Sequence, residues 1–525
     1  MKKNFTILII FILLVSGNSA AISADRLTDV VKLDSGSLRG KYEDGMGIFL
    51  GIPYAAPPVR KFRWMPPKAV APWKQVRNCM DFGPSCPQPG SQDGNKFNED
   101  CLYLNVWTTA KPTEKLPVMV WIHGGAFNNG STSQMEYDVR NLAKKGVVVV
   151  TINYRLGPLG FLVHPSLSRE SSHKKSGNYG LLDQIAALKW VQKNIVSFGG
   201  NPGTVTIFGQ GSGASSVMLL ITSPLAAGLF HRAIAQSGNL LAGSEFIYPA
   251  FNSNMIDAIK TGEKFAAKLG CNEASNVAKA LRKKSAREII AAADFQADFC
   301  NNGLYFGPVF DGWVLPVNPL AAYENGKQLD VPIIAGSTSS ESVIYRTCNI
   351  DWSLKKYKEF LKSRFGDDSE KALNFFPAKN DKDVRQAVDN VITVADYACP
   401  ARFVARWMAQ RKSRSYLYQF TRRPDKGKAG KLGIYHGSDL PYVFGNLNKS
   451  EGYNDLDVEL SEKMMAYWVN FAKTGNPNGR GLFYWPGYKS ESDINLEFGD
   501  TIQTNKNLFQ KECDFVDRMF HQQFK

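Results

Sequence analysis

The chain has 525 residues, 44% of them hydrophobic and 21% charged, which is ordinary globular composition with length enough for a large core. There is no low-complexity segment and no internal repeat, so a repeat or low-complexity protein is excluded. The formal charge of +15 would suit adhesion to acidic glycans or anionic surfaces, but the basic residues are mostly scattered along the chain, which favours solubility as their role.

The first element is a targeting segment. Lys2 and Lys3 precede an apolar run from Phe5 to Val15, and small residues follow in "SGNSAAISA". This is the pattern of a secretory signal peptide, cut around Ala20 to Ala24, so residues 1–24 are assigned to it. Removing Lys2 and Lys3 leaves a charge of +13. No later stretch approaches the ~18 apolar residues of a membrane span. The mature chain, 25–525, is therefore expected to be secreted, without a transmembrane anchor. No linker divides it, so one domain is expected.

Secretion places the eight cysteines in an oxidising compartment, where disulfides persist. Cys86 and Cys101 flank a short polar loop. Cys399 and Cys513 are far apart, and sequence alone cannot pair them; Cys79, Cys271, Cys300 and Cys348 stay unassigned.

Short apolar runs, mostly β-branched or aromatic, predict buried strands at 117–123, 147–154, 205–209, 232–238, 331–337 and 416–420. Between two of them, Leu181, Ile185, Leu188, Val191 and Ile195 recur at helical spacing. A second helix is expected over 459–475, stopped by Gly475 with Pro477 beyond. Alternating strands and helices imply an α/β fold: a mostly parallel sheet with helices on both faces. Residues 245–325 are richer in helix formers and read as a helical cap. The stretch "RRPDKGKAGK" (422–431) reads as a flexible, solvated basic loop near the cleft mouth.

Function in such sheets collects at the carboxyl ends of the strands. Three ends are informative. "WIHGGAFNNGS" (121–131) places Gly124 and Gly125 after a strand, where backbone N–H groups can form an oxyanion hole. "VTIFGQGSGASSV" (205–217) has the build of a strand–turn–helix elbow, which in G-x-S-x-G carries a serine nucleophile at its centre. Here the five residues are Gly209, Gln210, Gly211, Ser212 and Gly213: the centre is glycine and the serine comes one place late. "GSTSSES" (336–342) then offers Glu341, and "YHGSDLPYVFG" (435–445) offers His436. Elbow, acid, histidine is the α/β-hydrolase order. No metal-ligand cluster or nucleotide-binding loop is found, so no cofactor, metal or nucleic-acid partner is expected. Asn129 and Asn448 head N-x-S sequons, acceptors for glycosylation in a eukaryotic host.

The chain resembles the type-B carboxylesterase family, which includes cholinesterases and adhesion relatives such as neuroligins. The resemblance rests on "GIPYAAPP" (51–58), "EDCLYLNVW" (99–107), "WIHGGAF" (121–127), "NYRLGPLGF" (153–161), 177–202, "VTIFG" (205–209), "QSG" (236–238) and "YHGSDLPYVFG" (435–445). It implies an α/β-hydrolase fold over nearly the whole mature chain. It puts Gln210 at a position usually held by Glu, Gly211 at the nucleophile, and Ser212 at the alanine that follows. Glu341 and His436 fall on the acid and the base, and the N–H groups of Gly124, Gly125 and Ser212 on the oxyanion hole. Ser237 falls on a serine typical of the family, beside the triad. The pairings Cys86–Cys101 and Cys399–Cys513 are implied as well. Cys271 matches a third pair, but Ala280 stands at its usual partner position.

Two departures matter. The Cys86–Cys101 loop is short and lacks the tryptophan that holds choline by a cation–π contact, which disfavours choline esters. Gly211 leaves the elbow without its nucleophile, as in the neuroligin-like branch, although no transmembrane segment follows here. The expected function is thus a non-hydrolytic binding, adhesion or structural role, with an unidentified protein or a small apolar ligand in the cleft. The rival is an ester hydrolase of low activity, using Ser212 or a water activated by His436.

Overall fold

The computed structural model describes residues 26–90, 97–240, 255–294, 303–342 and 353–523. The leader expected over 1–24 lies outside these residues, as do Cys300 and Cys348.

Among the described residues twelve strands form one sheet. In chain order they are β1 (Arg26–Leu27), β2 (Lys41–Glu43), β3 (Met46–Pro53), β4 (Tyr103–Thr108), β5 (Leu116–Ile122), β6 (Val148–Ile152), β7 (Gly200–Gln210), β8 (Arg232–Gln236), β9 (Ile333–Thr338), β10 (Ser415–Phe420), β11 (Ile494–Phe498) and β12 (Ile502–Lys506). In space they run β1-β2-β3-β4-β6-β5-β7-β8-β9-β10-β11-β12. From β6 to β11 every neighbouring pair is parallel. The strands at the two edges pair antiparallel. This is the mostly parallel sheet that the sequence predicts, and all six predicted strands lie in it.

The helices that matter for the site are α1 (Tyr179–Asn194), α2 (Ser212–Ile221), α3 (Met255–Lys268), α4 (Val277–Lys283), α5 (Ala286–Ala293), α6 (Leu354–Phe365), α7 (Asp381–Val391), α8 (Cys399–Ala409), α9 (Asp455–Thr474) and α10 (Gln510–Gln523). Side chains alternate across a strand, so each strand feeds two cores. Val118, Val120 and Ile122 of β5 join Leu181, Ile185 and Leu188 of α1 and Val217 of α2 on one face. Met119 and Trp121 join Phe208, Met464 and Trp468 on the other. Residues buried on both sides explain why the central strands read as unbroken apolar runs. Helices α3 to α5 occupy the described part of the expected cap, and α5 packs on the turn Gly157–Phe161.

Three expectations change. Strand β7 begins at Gly200, five residues early, with an irregularity in register between Gly200 and Val205. Segment 422–431 is not a flexible loop. Arg422 is buried, with Nε 2.7 Å from Asp457 Oδ1 and Nη1 2.7 Å from Asp500 Oδ1, and Gly427–Leu432 forms a short helix. Helix α9 starts at Asp455, ahead of 459, because Asn454 and Asp457 form a reciprocal cap; it stops at Gly475 as expected.

The disulfides Cys86–Cys101 and Cys399–Cys513 are both present, while Cys79 and Cys271 are free and buried. No helix among the described residues is long and apolar enough to cross a membrane.

Candidate active site

Strand β7 ends at Gln210 and α2 begins at Ser212, so Gly211 alone makes the turn between them. Its φ of 59° and ψ of −126° are strained for any side chain, and glycine relieves that strain. The tip is anchored on both sides: Gly211 N–H donates to the Gln236 carbonyl (3.0 Å), and its own carbonyl accepts from Ser215 N–H (2.9 Å).

The imidazole of His436 faces this tip. A Cβ built on Gly211 would lie 2.8 Å from His436 Nε2. The other ring nitrogen, Nδ1, is 2.6 Å from Glu341 Oε2. A carboxylate only accepts, so Nδ1 carries the proton and Nε2 presents its lone pair to the elbow. Glu341 is fully buried and held from several directions. Its Oε1 accepts from Ser237 Oγ (2.7 Å) and from Thr338 N–H (2.7 Å), and its backbone N–H donates to Thr393 Oγ1 (2.9 Å). Thr393 belongs to a π-helical turn, Ile392–Ala398, whose Tyr397 packs its ring 4.8 Å from that of His436.

The loop after β5 closes the opposite wall. His123 is buried, and burial pushes its pKa down to about 4, so it stays neutral. Its Nδ1–H donates to the Gly124 carbonyl (2.8 Å), and its ring stacks on Tyr154 at 4.5 Å. Gly125 has φ 109°, and a Cβ there would run into the Asn129 carbonyl. Glycine is thus required where the loop backbone turns toward the cleft.

Among the described residues no hydrogen bond joins the Ser212 hydroxyl to His436. The Ser212 Oγ accepts from the Phe127 N–H at 3.1 Å and lies beside the Tyr154 phenol. The side chain ties α2 to the glycine loop, and Ser212 also lines the cleft. The cleft itself holds about 270 Å³ and is lined by Gly124, Gly125, Gly211, Ser212, Tyr397 and His436. Gln210 lines it too; its Nε2 is buried and without a partner among the described residues.

Sequence reasoning missed Asp439. It lies buried behind the pair, with Oδ2 accepting from Gln236 Nε2 (3.0 Å) and Tyr418 OH (2.9 Å). Burial pushes its carboxyl up to about 6; the two hydrogen bonds pull the other way, and nearby Glu341 adds to the rise. The signal was available, since Asp439 is in the same motif as His436. Of the two sequon asparagines, Asn448 is exposed, whereas Asn129 is half-buried against the cleft.

The sequence profile of the carboxylesterase family matches residues 28–516. The chain belongs to the carboxylesterase family. Fumonisin B1 esterase of Sphingopyxis macrogoltabida is 35% identical to this family member, over 93% of this chain and 91% of that protein. Para-nitrobenzyl esterase of Bacillus subtilis (strain 168) is 34% identical, over 91% and 98%. A solved PNB esterase structure superposes with a TM-score of 0.81 at 34% identity, over 93% of this chain and 99% of that one. The α/β-hydrolase fold of this carboxylesterase-family chain is thereby shared with solved members.

Proposed function

We propose that this member of the carboxylesterase family is a secreted, non-hydrolytic binding, adhesion or structural protein that keeps an esterase cleft. In this reading Gly211 stands at the nucleophile position, Glu341 and His436 are the retained acid and base, and the N–H groups of Gly124, Gly125 and Ser212 are the retained oxyanion donors. The observation that carries it is the elbow tip: His436 Nε2 meets a backbone without a side chain. Removal of a triad serine lowers turnover by ~10⁶ in a well-studied protease. Ser212 is a poor substitute. To attack, it would have to leave the Phe127 N–H, and the turn would have to slip by one residue. A small apolar group fits a cleft walled by Tyr397 and Leu440.

A second reading has its own support. The relatives named above are esterases, and the Glu341–His436 pair stands at 2.6 Å. His436 Nε2 could take a proton from water while the hydroxide adds to an ester carbonyl; the proton then passes to the departing alkoxide, leaving acid and alcohol. Ordinary p-nitrophenyl butyrate hydrolysis separates the readings, run on the mature chain beside Gly211→Ser, Ser212→Ala and His436→Ala, with a fluorophosphonate probe. A silent wild type and an active Gly211→Ser variant are expected. Wild-type turnover with probe labelling lost in Ser212→Ala would overturn the proposal in favour of Ser212. Turnover without labelling, lost in His436→Ala, would favour the water route.

A further inference from the structure

A second cavity, of about 200 Å³, shares no lining residue with the cleft. Its lining includes Trp64, Lys68, Glu170, Lys175, Arg282 and Trp313. Three cations face one carboxylate, and that carboxylate is already engaged: Glu170 Oε2 is 2.6 Å from Arg282 Nη1. Lys68 and Lys175 have no carboxylate partner among the described residues. The cavity therefore carries surplus positive charge against aromatic walls.

Those walls are fixed in place. Trp64 sits at φ 58°, a costly conformation for a bulky side chain, with its Nε1–H on the Pro158 carbonyl at 2.8 Å. Neighbouring Arg63 is buried between Glu99 (2.6 Å) and the carbonyls of Arg282 (3.3 Å) and Lys284 (2.6 Å). Arg282 Nε donates back to the Arg63 carbonyl at 3.1 Å. The Trp64 segment and the end of α4 are thus tied in both directions. Across the cavity the His173 ring lies flat on Trp313, centroids 3.8 Å apart. Basic residues that look scattered in sequence are brought to one cavity by the fold: Lys68, Lys175 and Arg282 line it together, and Lys174 and Lys283, their chain neighbours, are exposed.

We propose that this cavity binds an acidic sugar, a pyranose ring bearing a carboxylate, at the end of or within an acidic saccharide chain. A flat aromatic wall takes the apolar face of such a ring, and the lysine ammonium groups act as point charges for its carboxylate. Ser171 and Ser172, also in the lining, supply hydroxyls for the ring hydroxyls. The volume lies below the range of drug-sized pockets and suits a single ring. Further acidic units of a chain would pass over Lys174 and Lys283, where surface charge is screened by salt.

Calorimetric titration of the mature chain with a uronate oligosaccharide, with glucuronate, with glucose and with benzoate tests this. Saturable binding of the uronate oligosaccharide is expected, weaker for glucuronate, with no saturation by glucose. The double variant Lys68→Ala/Lys175→Ala, which removes one exposed and one half-buried lysine, should weaken it about tenfold or more with little change in the thermal midpoint, and added salt should weaken the wild type. Absence of saturable uronate binding would overturn the proposal. So would equal affinity in the double variant, or benzoate binding as tightly as glucuronate, which would make the site one for aromatic acids.

Discussion

With glycine at 211, the His436 Nε2 lone pair faces open backbone. A Cβ there would stand 2.8 Å away, closer than side-chain carbons normally approach a ring nitrogen. The imidazole must therefore retreat by a few tenths of an ångström to admit a serine, toward the Tyr397 ring packed 4.8 Å behind it. Gly211→Ser is accordingly expected to exceed the wild type in ester turnover by ~10³, short of the ~10⁶ that separates an intact triad from one without serine. Gly211→Ala supplies the same Cβ without a hydroxyl. It should stay inactive and lose roughly 1–3 kcal/mol of stability, because the left-handed turn strains any side chain. Equal activity of the two variants would refute the role given to the hydroxyl. Asp439 yields a second residue-scale test. Its carboxyl is raised to about 6 when folded, above the ordinary carboxylate value, so the folded state holds its proton more tightly. Stability is then unaffected below about pH 4, falls as pH rises from 4 to 6, and stays lowered above 6, by ~3 kcal/mol for about two units. Asp439→Asn should raise the thermal midpoint relative to wild type at pH 7, with the gain fading toward pH 4. A gain that grows on acidification would show the sign to be wrong.

Elements differ in how openly the sequence declares them. Strands β5 to β10 were legible because both faces are buried, which leaves no polar alternation to confuse the pattern. The triad-like order was legible because each member ends its own strand or heads its own motif. Helices α6 and α7 went unread, although Ser353 and Asn380 cap their starts. Their buried faces are narrow among charges: in α6 only Tyr357, Phe360, Leu361 and Phe365 are buried. Segment 422–431 was misread because its order comes from partners far away in sequence. Arg422 holds Asp457 and Asp500, and neither contact leaves a local trace. Asp439 stands in the motif of His436 and could have been singled out there, but its partners Gln236 and Tyr418 are distant in sequence and show only in the fold. The Arg422 cluster also fixes the start of α9, since Asp457 caps Asn454 N–H and accepts from Tyr442 OH (2.6 Å). Arg422→Met would leave Asp457 buried without its cation, and a loss of about 3–5 kcal/mol is expected in denaturant unfolding. Lys449→Met, which removes only the exposed pair with Asp455, should leave the denaturant midpoint essentially where it is. Similar costs for the two would mean that burial does not govern the Arg422 pair.

At the scale of the whole molecule, the two disulfides do different work. Cys86–Cys101 closes a loop over a sequence separation of 15 that itself carries Gln88, whose side chain holds Gly130 by its N–H and carbonyl at 2.9 Å each. Cys399–Cys513 spans 114 residues and fastens α10 to the first turn of α8, and from the last turn of α8 Arg406 reaches Asp517 at 2.8 Å. Between its ends lie strands β10, β11 and β12 and the motif that supplies His436, so this one bond encloses a large part of the sheet's far half. If constraint of the unfolded chain dominates, the longer loop should stabilise more, about 5 kcal/mol against ~3 kcal/mol for the short one. Cys399→Ser/Cys513→Ser is therefore expected to lower the guanidinium midpoint further than Cys86→Ser/Cys101→Ser, both measured without reductant. The wild type under strong reductant should fall below either double variant. The proposed export follows the same logic, because such bonds persist only in an oxidising compartment. Should the short-loop variant prove the less stable, local support of the glycine loop would outweigh chain entropy. The Cys86–Cys101 bridge would then belong to the architecture of the cleft rather than to that of the chain.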